Sequence, residues 1–126
     1  MPLDGFEEVT THTPEELAQA HVVQRALATS SVAAPIKSPE LQRATGFSGP
    51  LVRALVNILR QEGVAVCSSS QGYFLARSPE ELDVSISHLE QRARSITRAA
   101  LGLKRCKARM VEEQPPAKLE LGTLVE

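Results

Sequence analysis

Arg53, Asn57 and Arg60 are the residues whose types and spacing best suit contact chemistry with another molecule. Lying four and then three positions apart, they share one face of a helix. A guanidinium pairs bidentately with guanine or holds a phosphate, and an asparagine amide pairs with adenine. Arg43, just upstream, faces out of the preceding segment, and Ser48 precedes the helix. Ser69 and Gln71 lie downstream in a polar stretch, where they can bond phosphate oxygens but add no positive charge. An ordinary solvated helix face carries such residues too, and Ser68-Ser69-Ser70-Gln71-Gly72 also reads as a plain hairpin loop.

Catalytic constellations are missing from the pattern. Glu15-Glu16 and Glu112-Glu113 are neighbouring pairs in caps or arms rather than carboxylates facing each other across a cleft. Ser68 to Ser70 have no evident base, and no glycine-rich phosphate loop occurs. His12, His21 and His88 share no ligand spacing with each other or with Cys67 and Cys106, so no metal and no cofactor is expected. The two cysteines read as reduced thiols. The expectation is a binding protein and not an enzyme.

The elements that must position these residues lie between Lys37 and Arg77. Ser38-Pro39-Glu40-Leu41 reads as a helix start, with Ser38 as the cap and Pro39 at the first helical position. Leu41 and Ala44 are expected to point inward. Gly46 closes this helix where a turn needs positive φ. Ser48 caps the next one, with Pro50 in its first turn and Gly63 at its end. Val52, Leu55, Val56 and Leu59 would form its buried face, and Phe47 a plug in the turn. Val64–Cys67 and Tyr73–Ala76 are β-prone runs joined by the serine-rich loop, a β-hairpin. Ile36 is expected to pair with that hairpin as a short strand.

Helix, turn, helix and hairpin in this order resemble the winged helix-turn-helix domain of DNA-binding proteins. More narrowly, the chain resembles small winged-helix proteins of phages and prophages, in which a G-Y-F motif closes the wing and an S-P-E-E segment opens a long helix. Here these are Gly72-Tyr73-Phe74 and Ser78-Pro79-Glu80-Glu81, and the resemblance covers about 70 of the 126 residues. It implies double-stranded DNA as partner and Ser48, Arg53, Asn57, Arg60, Arg43, Ser69 and Gln71 as contact residues. It departs from the usual pattern at Gly49, Pro50, Leu51 and Ile58, where a base-reading helix carries polar side chains. A surface that meets protein instead of DNA is therefore the alternative, for example a phage factor acting on host machinery or on replication or packaging complexes.

Charge is segregated along the chain. The overall net charge is −1. Residues 1–30 hold five acids and one base, whereas 31–77 hold five bases and two acids. Residues 78–111 hold seven bases and four acids, and 112–126 hold four acids and one base. A basic middle with acidic ends is the distribution a nucleic-acid contact needs; clustered surface charge on any protein gives it too. No apolar run approaches a membrane span, and the acidic start does not resemble a signal peptide, so a cytoplasmic protein is expected.

Four segments follow. Residues 1–12 read as a flexible acidic arm and 13–77 as the winged helix-turn-helix domain. Within the domain, Thr13-Pro14-Glu15-Glu16 starts a first helix that ends near Thr29-Ser30, with Leu17, Ala20, Val23 and Leu27 on its apolar face. Residues 78–111 read as a long dimerisation helix. Its Leu82, Ile86, Leu89, Ala93, Ile96, Ala100 and Leu103 alternate spacings of four and three, the seam of a coiled coil. The same stripe would also pack within one chain, against the back of the first helix. Fraying is expected after Cys106. The seven bases from Arg92 to Arg109 suit a phosphate backbone, an acidic arm, or the negative end of the helix itself. Residues 112–126 read as an acidic tail that is disordered or docks on a protein partner. The expected fold is mainly α with a small β-hairpin (α+β), a winged helix-turn-helix followed by a long coiled-coil-like helix, acting as a homodimeric regulator of transcription of phage or bacterial type.

Overall fold

The computed structural model describes residues 11–114. The arm assigned to residues 1–12 and the tail assigned to 112–126 therefore lie largely outside the described residues. The elements, in order, are α1 (Pro14–Ala26), α2 (Ser38–Thr45), α3 (Gly49–Gln61), β1 (Val66–Ser69), β2 (Gly72–Leu75) and α4 (Pro79–Glu113). The chain divides into two compact units, one ending at Ser85 and one beginning at Ile86. The protein is mainly helical, with one antiparallel two-stranded sheet among the described residues.

Helix α1 begins with a complete capping box. The Thr13 hydroxyl accepts from the Glu16 N–H at 3.0 Å, and the Glu16 carboxylate accepts from the Thr13 N–H at 2.9 Å. Two of the N–H groups left over at a helix start are thereby satisfied. The helix stops at Ala26, earlier than the expected Thr29-Ser30, because the chain turns at Leu27 to bury that side chain completely.

Three helices enclose the core. Ala20, Val23 and Leu27 come from α1 and the turn after it, Leu41 from α2, and Val52, Leu55, Val56 and Leu59 from α3. Each leucine removed fully from water contributes about 1.5–3 kcal/mol, so an aliphatic core suffices without tryptophan. The buried face of α3 is the one its sequence periodicity indicates. In α2 only Leu41 is buried; Ala44 is exposed, contrary to expectation, because eight residues give the helix little more than two turns and one inward position is enough.

The strands have the expected four residues each but lie nearer the tip than the β-prone runs, so the loop is tighter than the serine-rich stretch indicates. Ser69 pairs with Gly72, leaving only Ser70-Gln71 at the tip. Ile36 bridges Tyr73 as expected: the Ile36 N–H donates to the Tyr73 carbonyl and the Tyr73 N–H to the Ile36 carbonyl, each at 2.8 Å. Ser30, 1% exposed, ties the end of the α1 turn to β2. Its hydroxyl donates to the Leu27 carbonyl at 2.6 Å and accepts from the Leu75 N–H at 3.0 Å.

Helix α4 runs without interruption through Gly102 and past Cys106 to Glu113, so the expected fraying does not occur there. At its start the Ser78 hydroxyl accepts from the Glu81 N–H at 3.3 Å, and the Glu81 carboxylate accepts from the Arg77 N–H at 2.9 Å. The reciprocal cap is thus shifted by one residue. No residue of α4 is fully buried. No helix among the described residues is long and apolar enough to cross a membrane.

Candidate nucleic-acid interface

The three-residue turn between α2 and α3 sets the pose of α3. Gly46 adopts φ 79°, a left-handed conformation that a side chain would strain, and its N–H donates to the Gln42 carbonyl at 2.8 Å. The Thr45 hydroxyl donates to the Leu41 carbonyl at 2.9 Å and accepts from the Phe47 N–H at 3.2 Å. Phe47 is half-buried against the core, as expected of a plug. The Ser48 hydroxyl caps α3 by accepting from the Leu51 N–H at 3.3 Å. Ser48 is exposed, but its hydroxyl already serves the helix.

Ser38 is not the cap of α2. Lys37 holds that position without a side-chain bond, and the Ser38 hydroxyl accepts from the Gln42 amide at 3.0 Å. The same amide lies over the start of α3, where a Cβ at Gly49 would meet it at 3.1 Å. A side chain at Gly49 would press only on the end of the Gln42 side chain. Leu51 and Ile58 are half-buried and packed against the core. They form a flank of the interior instead of an apolar outer surface, which removes much of the support for a protein-binding face on α3.

The proposed contact residues fall into two groups. Arg53 and Asn57 are exposed and one helical turn apart on α3. Arg43 is exposed on α2. Arg60, expected beside Arg53 and Asn57, is turned to the hairpin. Its Nε donates to the Val66 carbonyl at 2.9 Å and an Nη to the Ser68 hydroxyl at 3.3 Å. It serves chiefly to join α3 to β1.

The second group lies at the hairpin. Ser69 and Gln71 are exposed, and the Gln71 N–H donates to the Ser69 hydroxyl at 3.1 Å. With Ser68, Ser70, Lys37 and Ser38 they line an open cleft between the hairpin tip and the start of α2. Lys37 is the residue that sequence reasoning missed. The hairpin tip has no cation of its own, and Lys37 supplies one because Ile36, its neighbour, bridges Tyr73. The expected pairing of Ile36 was the signal that could have revealed it. An ammonium beside several hydroxyls suits an anionic oxygen such as a phosphate.

Among the described residues, no group of three or more His, Cys, Asp or Glu side chains is arranged to hold a metal. Both cysteines are free thiols, Cys67 buried and Cys106 half-buried. Comparison with family models, with curated proteins and with solved structures found no match.

Proposed function

We propose that residues 13–77 act as a winged helix-turn-helix module that binds double-stranded DNA through α3, in a dimeric regulator of transcription of phage or bacterial type. The observation that carries this reading is the exposure of Arg53 and Asn57, one turn apart, on the side of α3 opposite the buried Leu55. In a helix-turn-helix the second helix enters the major groove, where these two side-chain types read guanine and adenine. The net positive charge of residues 31–77 and the cleft holding Lys37 support a phosphate contact beside it. The exposed stripe of α4 supports pairing of two chains.

A salt titration of binding to random-sequence duplex DNA tests the proposal. Neutralising several phosphates makes log K fall linearly with log salt, with a slope of about 0.9 per phosphate. Arg53→Ala and Asn57→Ala should each weaken binding at a selected site by about 1–3 kcal/mol if they meet base edges. An absence of saturable binding at low salt, or indifference to both substitutions, overturns the proposal.

A further inference from the structure

The second unit, from Ile86 onward, leaves apolar side chains on α4 in contact with water. Ile86 is 47% exposed, Ile96 66% and Leu103 71%. Two features of that stripe are directional. Large residues alternate with the small Ala93 and Ala100. Charge is also polarised, with Glu80, Glu81, Asp83 and Glu90 at the start and seven bases, with no acid among them, from Arg92 to Arg109. A helix acidic over its first turns and basic through most of its second half, up to the closing Glu112 and Glu113, complements a copy of itself turned end for end over that span.

Resting on the reading of α4 as a pairing helix, we infer that its partner is a second copy of this chain running antiparallel, with the two-fold axis between Arg94 and Ser95. This register sets Ala93 against the partner's Ile96, Leu89 against the partner's Ala100, and Ile86 against the partner's Leu103. Each alanine then faces a large residue, so the four central layers, two of Ala93 with Ile96 and two of Leu89 with Ala100, are even in volume, and the larger layers of Ile86 with Leu103 flank them. Even layers matter because gaps between packed side chains forfeit contact energy. On the flanks Asp83 faces the partner's Lys104, an ion pair formed twice, and Glu90 faces the partner's Thr97. Lys107, next in the seam after Leu103, reaches the edge of the contact opposite the partner's Leu82, where its stem covers the leucine and its ammonium stays in water.

A parallel pair in register loses each of these features. Ala93 and Ala100 would each meet their own copies in thin layers. Lys107 would face Lys107 at a seam position, placing two like charges where burial is costly. The seven bases would run alongside the same seven. The antiparallel pair also separates the two Pro79 positions by about 47 Å along the axis, at 1.5 Å per residue, whereas a parallel pair starts side by side.

The native cysteines permit a direct test. Cys67 is 0% exposed, so a nitroxide reagent applied to the folded protein reaches Cys106, and mass spectrometry checks for one label per chain. Pulsed EPR on the DNA-free protein should give a label separation centred near about 35 Å, set by 23 residues of helical rise. Strong dipolar broadening, from labels within about 15 Å, overturns the inference in favour of a parallel pair, whose axes lie about 8–10 Å apart. A monomeric mass at about 100 μM, which would mean a dissociation constant well above that concentration, also overturns it. As a second readout, Lys104→Glu should weaken the dimer about three- to tenfold, and adding Asp83→Lys should restore it. Because these measurements contain no DNA, their failure and a failure of the DNA-binding reading are separate results.

Discussion

The Nε of Arg60 donates to the Val66 carbonyl at 2.9 Å and so fastens the end of α3 to the first hairpin strand. Arg53, seven residues earlier, is exposed. Two arginines of one helix thus have different work, and their substitutions should separate it. Arg60→Ala removes bonds from a charged donor to the β1 backbone and hydroxyl, and should lower stability by about 1.5–3 kcal/mol in urea unfolding. Arg53→Ala should change stability by less than about 0.5 kcal/mol while weakening DNA binding. Equal stability losses in the two variants would show that the Arg60 contacts contribute nothing.

Gly72 is constrained in two independent ways. Its φ is 136°, and a Cβ there would lie 2.5 Å from the Ile36 carbonyl oxygen and 2.9 Å from the Lys37 nitrogen. Those atoms are backbone held by the Ile36–Tyr73 bridge and cannot swing aside. Gly72→Val should cost well over about 1 kcal/mol, beyond a mild backbone change. A wild-type urea midpoint in this variant would show that the strand and bridge move apart freely.

Ser30 is the buried polar residue of the core region, and its hydroxyl carries two bonds. Ser30→Ala leaves the part-buried Leu75 N–H without its acceptor, at an expected cost of about 1–3 kcal/mol. Ser70→Ala at the exposed hairpin tip should cost less than about 0.5 kcal/mol. Thermal melts of the two variants side by side check the difference.

Pairing through α4 rests on its exposed stripe. Ile86→Asp together with Ile96→Asp places a charge at two seam positions on each chain, where burial without a partner is strongly unfavourable. Light scattering should show a monomer, while the circular dichroism of residues 13–77 stays helical. An unchanged dimer mass would exclude the stripe as the interface.

Cap chemistry at α1 should be separable from everything above. Thr13→Ala breaks the capping box and should cost about 0.5–2 kcal/mol without altering DNA affinity at equal folded fraction. Denaturation followed by far-ultraviolet circular dichroism checks the first half, and binding at 10 °C the second.

Local chemistry made much of this chain legible from its residues alone. The capping box at Thr13, the left-handed turn at Gly46, the Ser48 cap and the buried face of α3 each follow from interactions within about four residues, which sequence spacing encodes directly. The exposure of Arg53 and Asn57 follows from the same periodicity. What needed the tertiary structure depends on partners distant in sequence. Arg60 looked like a third outward residue until the strand six residues later took its guanidinium. Ser30 gave no local sign of its bond to Leu75, 45 residues away. Lys37 became a candidate only once the Ile36–Tyr73 bridge set it beside the hairpin tip. Periodicity states which face of an element a side chain occupies; only the packing of other elements against that face decides whether it meets water, a backbone carbonyl or a cleft.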